Sequence, residues 1–385
     1  MAIVESGVER SLREGLRDIR QPLSKAAHAP GYVYSSPDVL ALEKEKMFMQ
    51  DWLFIAREEE LAKPGDFMTF RVLGEPLVLT RDANGKLNAF ANVCVHRGVE
   101  VAIGTGNTKE FMCPYHGWLY DLEGRLVGAP YMKEAEGFDP KNCRLAPLRV
   151  GVWRRCVFVT FNPDAPPLEA QLAQFERDFA FLHPEKCKLS KRLEWEFECN
   201  WKLLSENAMD MYHVGTLHRS TFGAGTSVDD AKISLYPRGG MRIDYQSVPM
   251  TPGNQPLFGK LPWLEHEPVS FATMGFMQPN THMVARSDQV RMLTGWPLGP
   301  NRCQVIMYSL FPEEYFERPD FAEKAEVYHQ YLMRVLDEDR EMVKSLQHAM
   351  EIKTYVPGRL ATLEKAVHHV LNGALDRLFE ERPAS

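Results

Sequence analysis

Apolar residues in the first part of the chain change from helical spacing to short strand-like runs. Residues 36–51 carry apolar side chains at helical spacing behind a Ser-Pro-Asp start, which predicts a helix beginning near Ser36. From Trp52 to Phe161, short runs rich in Val, Phe, Leu and Thr alternate with turn signals. The clearest runs are residues 67–72, 76–80 and 157–161. Short strands at this spacing predict a small all-β domain.

Beyond a proline-rich linker at residues 162–167, helical and strand-like patterns are mixed. Helical patterns cover residues 169–182, 201–213 and 319–350, and strand-like patterns cover residues 192–199, 241–248, 271–277, 282–285 and 304–311. The strands are predicted to form one antiparallel sheet flanked by the helices. An α+β protein with three parts is therefore predicted. The parts are an N-terminal helical segment at residues 1–50, a small all-β domain at residues 51–163 and a larger α+β domain at residues 164–385.

Composition and charge narrow the class of protein. The 385 residues are 44% hydrophobic and 25% charged with a net charge of -7, which is typical of a globular protein of two domains and gives no basic cluster for nucleic acid. The first twenty residues are too charged for a secretory signal, and the longest uncharged stretch, residues 270–285, is too short and polar to span a membrane. A cytoplasmic protein is predicted, in which the seven cysteines are not expected to form disulfides.

Two cysteines and two histidines of the β domain follow the spacing C-x-H-x16-C-x2-H. They are Cys94, His96, Cys113 and His116. Four unrelated residues would leave this matched spacing unexplained, and a structural zinc site usually pairs like ligands, whereas each loop here offers one thiol and one imidazole. In a Rieske [2Fe-2S] centre one iron takes both thiolates and the other takes both imidazoles. The pattern favours the Rieske cluster over the zinc site.

A second group of candidate residues lies at the end of the predicted helix at residues 201–213. Asn207, Asp210 and His213 are three residues apart and fall on one helical face. His218 follows five residues after His213, so both rings can meet a metal only if the helix is broken, and Gly215 is predicted to supply the break. Taken alone, two histidines at this spacing are also explained by chance.

A carboxylate is predicted to complete this second group from the long C-terminal helix. The apolar stripe of that helix consists of Leu332, Val335, Leu336, Met342, Val343 and Leu346, and Asp339 falls in its middle, whereas Glu338 does not. A buried carboxylate is costly unless it is paired or bound to a cation, so the choice is between a metal and a structural ion pair. Two imidazoles and one carboxylate form the ferrous site that activates oxygen, with positions left open for O2.

Together these residues resemble the terminal oxygenase α subunits of Rieske non-haem iron oxygenases. The resemblance rests on residues 94–98 and 113–118, on residues 206–218, and on Glu338-Asp339 followed by Gln347. It implies a [2Fe-2S] cluster on Cys94, His96, Cys113 and His116, and a mononuclear Fe(II) on His213, His218 and Asp339. It also implies an aromatic-ring-hydroxylating type of enzyme that uses O2. A Rieske electron-transfer protein is the other class considered, although a carrier would not need about 220 further residues.

The resemblance further implies partners. The family assembles as a head-to-tail homotrimer, in which Asp210 would bridge His213 to the cluster ligand His116 of a neighbouring subunit; Asn207 belongs to the same motif, and a solvent-facing Asp210 is the alternative. No dinucleotide-binding glycine motif is present, so electrons from NAD(P)H require a reductase, with or without a ferredoxin. Candidates for its docking patch are Arg97, Lys109, Arg125 and Lys133, which are equally explained as ordinary surface charges.

The family's pocket residues come from the helix after the iron motif and from the sheet, and these elements offer nine aromatic residues and methionines here, most of which are expected to be ordinary core residues. They are Met209, Phe222, Phe271, Met274, Phe276, Met277, Trp296, Tyr308 and Phe311. Such a lining suits hydroxylation of an aromatic or apolar substrate, which is the main expectation. Aromatic faces also hold methylated ammonium groups. Oxidative N- or O-demethylation by a monooxygenase, for example of a quaternary amine or an aryl ether, is therefore the alternative.

Overall fold

The computed structural model describes residues 15–379, which group into two compact units. Phe48–Gln171 form the first, called here the β unit, and residues up to Met47 join those from Leu172 onward to form the second, the C-terminal unit. The predicted N-terminal segment thus groups with the C-terminal unit. Residues 1–14 and 380–385 lie outside the described residues. The prediction that the first twenty residues form no secretory signal therefore concerns mostly residues that are not described.

The β unit contains ten strands in two antiparallel sheets. They are β1 (Leu53–Arg57), β2 (Asp66–Val72), β3 (Glu75–Arg81), β4 (Leu87–Ala91), β5 (Thr105–Asn107), β6 (Glu110–Met112), β7 (Leu119–Asp121), β8 (Leu126–Gly128), β9 (Pro147–Trp153) and β10 (Cys156–Thr160). Seven strands pair in the order β1-β10-β9-β4-β3-β2-β5, and β6-β7-β8 form the second sheet. The predicted all-β domain is confirmed.

The C-terminal unit is built on one seven-stranded antiparallel sheet in the order β11-β17-β16-β15-β14-β13-β12. Its strands are β11 (Cys187–Phe197), β12 (Ser227–Leu235), β13 (Met241–Gln246), β14 (Phe271–Met277), β15 (Thr281–Arg286), β16 (Gln289–Gly299) and β17 (Arg302–Pro312). Sequence patterns missed β12, which is largely exposed and polar, and β16, which is buried on both faces and therefore shows no alternation. The predicted sheet is confirmed.

Seven α-helices accompany the sheets within residues 15–379. They are α1 (Tyr32–Ser35), α2 (Pro37–Glu43), α3 (Leu168–Phe179), α4 (Trp201–Met209), α5 (Val214–Leu217), α6 (Phe321–Glu351) and α7 (Lys365–Phe379). Ser36 caps α2 as predicted, because its side chain accepts a hydrogen bond from the Val39 amide. Helix α4 contacts β16 as well as α6 and α7, so it is held between the sheet and the C-terminal helices. In the described part of the chain, no helix has the length and apolar character needed to cross a membrane.

A buried polar cluster fixes the start of α4. Glu43, at the end of α2, accepts a hydrogen bond from Trp201 Nε1 at 2.7 Å and forms an ion pair with Lys202 Nζ at 2.6 Å. The Asn200 side chain caps the helix by accepting from the Lys202 amide. Because a buried charge needs a partner, the cluster ties α4 to one position on α2.

Candidate functional site

Three potential metal ligands converge in the C-terminal unit. His213, His218 and Asp339 each offer one ligand atom, these atoms lie within 4.8 Å of one another, and no other group of three or more ligands meets this criterion within residues 15–379. The two Nε2 atoms are 3.2 Å apart. Asp339 Oδ1 lies 3.6 Å from His213 Nε2 and 3.2 Å from His218 Nε2. All three atoms therefore face one point.

A break in the chain direction brings the two histidines together. Helix α4 ends at Met209, and Asp210 follows with an extended backbone of ψ 120° while its Oδ1 accepts a hydrogen bond from the Tyr212 amide at 2.7 Å. The short helix α5 then separates His213 from His218. The predicted break at Gly215 was wrong, because Gly215 lies inside α5 and the helix ends one turn earlier.

A carboxylate holds the far side of each ring. Asp210 Oδ2 accepts from His213 Nδ1 at 2.9 Å, and Glu338 Oε2 accepts from His218 Nδ1 at 2.8 Å. With Nδ1 donating, each neutral imidazole turns the lone pair of Nε2 toward the other ring. Two lone pairs and a carboxylate oxygen at these distances repel one another unless a cation lies between them.

Asp339 supplies the clearest indication that a cation binds between these three atoms. The residue is 8% exposed, and its Oδ1 is buried without a hydrogen-bond partner. It forms no ion pair with a lysine or arginine in the described ranges, which argues against the structural ion pair. Two imidazole nitrogens and one carboxylate fit a ferrous ion with open coordination positions.

Protons compete with a metal at this site. Burial of His218 opposes its protonation, but the carboxylates of Asp339 and Glu338 outweigh burial and raise the pKa of the ring. A metal must displace this proton, so its affinity falls as the pH drops.

Glu338 was not predicted as a residue of the metal site. The apolar stripe of α6 excluded it, but Met342 and Leu346 of that stripe are 46% and 44% exposed. The buried line instead follows Leu332, Val335, Asp339, Val343 and Gln347. Glu338 reaches His218 from beside that line, and its hydrogen bond from Thr221 Oγ1 at 2.9 Å holds it there. Its adjacency to Asp339 in the matched motif was the one available signal.

The cysteines and histidines of the β unit lie in two like pairs. The buried thiols of Cys94 and Cys113 are neighbours, and His96 Nδ1 lies 3.1 Å from His116 Nδ1. A single zinc ion would require all four ligand atoms to converge on one point. Among residues 15–379, these four atoms do not form such a group. Separate thiol and imidazole pairs suit the two irons of a Rieske cluster.

Tyr120 lies against this thiol pair and was missed in the sequence. Its hydroxyl is 3.2 Å from Cys94 Sγ and accepts from the Val95 amide at 3.2 Å, so its own proton points to the sulfur. Burial and the neighbouring Cys94 raise the pKa of Tyr120, which keeps the phenol protonated. Hydrogen bonds to ligand sulfur stabilise the reduced, more negative cluster and raise its potential.

Changing Tyr120 to phenylalanine is expected to lower the reduction potential of the cluster while iron content stays the same. A hydrogen bond contributes about 1 kcal/mol, which corresponds to about 40 mV for a one-electron couple. Redox titration followed by electron paramagnetic resonance measures the shift. Tyr115→Phe is the matched control, because Tyr115 lies in the loop between Cys113 and His116, outside β7, and is 53% exposed. Equal potentials for the two variants would contradict the role given to Tyr120.

The candidate docking residues are all exposed on the β unit. Arg125 is paired with Asp121 at 2.7 Å and with Glu123 at 2.9 Å, and Arg97 stacks on the ring of Tyr115 at 5.1 Å. Arg125 therefore adds little positive potential, and the docking patch stays a prediction.

A cavity of about 130 Å³ opens beside the metal ligands. Only Phe222 and Met274 of the nine predicted lining residues border it. Alternation along β17 turns Tyr308 away from the face that carries Met307, and the other six residues likewise lie outside the lining. Most of the nine candidates are thus core residues, as expected. The candidates did not include two arginines of the sheet, Arg286 and Arg291, which do border the cavity.

Two family models match the chain. The model of the ring hydroxylating alpha subunit (catalytic domain) matches residues 184–379, and the model of the Rieske [2Fe-2S] domain matches residues 51–146. The matches cover both groups of candidate ligands.

Named relatives share these domains. The chain is 36% identical over 192 residues to the carnitine monooxygenase oxygenase subunit of Acinetobacter pittii, covering 49% of this chain and 52% of that protein, and so spans about half of its length. It is 25% identical over 373 residues to the chloroplastic choline monooxygenase of Spinacia oleracea, covering 91% and 78%.

A solved structure is similar over most of the chain. The quaternary ammonium Rieske monooxygenase CntA in complex with gamma-butyrobetaine superposes with a TM-score of 0.75 at 25% identity, covering 91% of this chain and 95% of that one. A further structure, of a quaternary ammonium Rieske monooxygenase, also matches at 25% identity with a TM-score of 0.75 and is described as giving insights into carnitine oxidation and inter-subunit electron transfer.

Proposed function

The chain belongs to the ring-hydroxylating α subunits of the Rieske oxygenases, and from that membership we propose that it is the terminal oxygenase of a monooxygenase acting on a quaternary ammonium substrate. Members of the family are oxidoreductases with a [2Fe-2S] cluster in the Rieske domain and a mononuclear iron in the catalytic domain. The observation that carries the proposal is the convergence of His213, His218 and Asp339, with a carboxylate behind each histidine.

The choice of substrate class rests on the relatives. They are carnitine and choline monooxygenases, which favours the quaternary-amine alternative over the aromatic substrate that was the main expectation. The comparisons give no support to aromatic hydrocarbon catabolism. The cavity offers methionines and the aromatic rings of Phe222 and Tyr245, which suit methyl groups as well as they suit an aromatic ring.

The residues at the iron site have two roles, binding the metal and orienting its ligands. His213, His218 and Asp339 would hold the metal, and Asp210 and Glu338 keep both imidazoles in the tautomer that can bind it. When bound, the iron supplies O2 activation, in which one oxygen atom enters a C–H bond and the other leaves as water at a cost of two electrons and two protons. Leu332, Val335 and Leu336 of α6 give the cavity an apolar lining next to the metal ligands.

Electron supply is the part of the proposal that needs partners. Electrons from NAD(P)H would come through a reductase, with or without a ferredoxin, to the cluster of the β unit. Transfer to the mononuclear iron would cross between subunits of a head-to-tail homotrimer through Asp210. The inter-subunit electron transfer described for a similar quaternary ammonium Rieske monooxygenase supports a route between subunits. A cytoplasmic location stays a prediction from the sequence.

Oxygen uptake with a surrogate reductase tests the function. Choline, carnitine and gamma-butyrobetaine are compared with aryl ethers and aromatic acids, and mass spectrometry identifies the products. At least one quaternary ammonium compound is expected to give uptake matched by product. Turnover of the aromatic compounds alone would contradict the proposal and favour an aromatic substrate. A Rieske spectrum without substrate-dependent uptake for any compound would indicate an electron-transfer protein.

A further inference from the structure

Two buried arginines form the sheet wall of the cavity beside the metal ligands. Arg286 ends β15 and Arg291 lies on β16, and they are 3% and 5% exposed. Arg291 pairs with Val284 across the hairpin, and Arg286 lies two residues from Val284, so both arginines are on the face that borders the cavity. The helices on the opposite wall carry His213, His218 and Asp339.

The two guanidinium groups differ in their hydrogen bonds and ring contacts. Arg286 Nη1 donates to the Val248 carbonyl at 2.7 Å, and its guanidinium lies over the rings of Phe222 at 4.9 Å and Tyr245 at 5.9 Å. Arg291 Nε is buried without a hydrogen-bond partner, and so is Arg286 Nε. Within residues 15–379 neither arginine has a carboxylate oxygen at ion-pair distance. A buried charge of this kind is costly unless something else compensates it.

The local charges leave one positive charge uncompensated. Asp288, in the turn between β15 and β16, is the acidic group that acts electrostatically on both arginines, and its Oδ2 accepts from Tyr328 at 2.5 Å. On the sheet side, two guanidinium groups are therefore balanced by one carboxylate, and the two carboxylates that line the cavity, Asp210 and Asp339, lie on the helix wall beside the metal site. Burial, together with the like charge of Arg286, lowers the pKa of Arg291 to about 10, so Arg291 is charged at neutral pH. The sheet wall of the cavity therefore presents net positive charge to a ligand.

We propose that the substrate carries a carboxylate, and that Arg291, assisted by Arg286, binds it on the sheet wall of the cavity. A guanidinium binds a carboxylate through two parallel hydrogen bonds, which Arg291 has free donors to make. The opposite end of the substrate then faces the metal ligands on the helix wall. The inference rests on the proposed function, and it selects betaine-type compounds over choline, because choline lacks an anionic group and would meet two like charges.

Ligand binding to the iron-loaded full chain tests the carboxylate preference without requiring turnover. Isothermal titration calorimetry compares two matched pairs, gamma-butyrobetaine with its primary amide and benzoate with benzamide. In at least one pair the carboxylate is expected to bind about 100-fold more tightly than the amide, the effect of one buried charge-assisted contact. Equal affinities within both pairs, or no binding of either carboxylate, would overturn the inference.

Arg291→Met removes the charge and keeps the length of the side chain. It is expected to abolish the preference for the carboxylate, about 100-fold, and to leave affinity for the amide unchanged. Without ligand, the variant should melt at the wild-type temperature or higher, because a costly buried charge is gone. A lower melting temperature, with the preference for the carboxylate unchanged, would show that Arg291 stabilises the fold and does not bind the ligand.

Arg242→Met is the matched control. Arg242 lies on β13 of the same sheet, borders no part of the cavity, and donates to Asp244 at 2.9 Å and to the Asp178 carbonyl at 2.8 Å. Its variant should keep the carboxylate preference. The two ligand pairs also separate this inference from the proposed function. A preference found only for benzoate, with no turnover of any quaternary amine, keeps the anion site and rejects the quaternary ammonium substrate.

Discussion

Replacing Asp339 with alanine is expected to abolish substrate-dependent oxygen uptake and to reduce the iron content from three atoms per chain to two. Its Oδ1 faces both imidazole Nε2 atoms and has no other hydrogen-bond partner, so a metal ion, or the proton that competes with it, must satisfy this oxygen. Loss of a partner behind a ligand costs about 10- to 100-fold in metal affinity or activity, and loss of a ligand itself should exceed that. Iron analysis, oxygen uptake and the Rieske spectrum, which should be unchanged, measure the effects.

Asp337→Ala controls for changes to the helix. Asp337 also lies on α6, but it is 59% exposed in its side chain and pairs with Arg340 at 3.1 Å. This variant should retain all of the iron and its oxygen uptake. Melting temperatures of the metal-free proteins add a check on folding, because Asp339→Ala removes an unsatisfied buried carboxylate and should not destabilise that form. A full complement of iron in Asp339→Ala would reject the assignment of this ligand.

At saturating Fe(II), Asp210→Ala is expected to keep both metal centres and to lose coupled oxygen consumption by about 100-fold or more. Asp210 holds His213 through its Nδ1 at 2.9 Å, and it is only half-buried, which leaves it accessible to a neighbouring subunit. If electrons reach the iron through Asp210, its loss interrupts the transfer without removing a ligand. Stopped-flow oxidation of the reduced cluster in the presence of substrate and O2 measures that step.

Glu338→Ala is the matched comparison, because Glu338 supports His218 as Asp210 supports His213. Both variants lose a carboxylate behind a ligand, and both are expected to bind iron about 10- to 100-fold more weakly. Saturating Fe(II) should restore turnover in Glu338→Ala and fail to restore it in Asp210→Ala. Recovery of both variants would mean that Asp210 acts only by orienting the ring.

The sequence allowed most of the metal chemistry to be predicted, because each group of ligands depends on residue types at short spacing. A pair of loops with one cysteine and one histidine each already favours two irons over one zinc. Strand alternation likewise predicted five strands of the larger sheet. It failed for β16, where both faces are buried, and for β12, whose side chains are largely polar.

By itself, then, the sequence was enough to predict the two domains, the cluster motif and the candidate iron ligands, two histidines and one aspartate, because these predictions follow from local spacing and from the coordination preferences of iron. Only the tertiary structure decided which side chains stand behind and around those ligands. Glu338 meets His218 across 120 residues, and Tyr120 meets Cys94 across 26 residues. Arg286 and Arg291 face the metal ligands only because a sheet hairpin packs opposite α4 and α6. Such contacts depend on how separate elements pack, and no local pattern of residues encodes that packing.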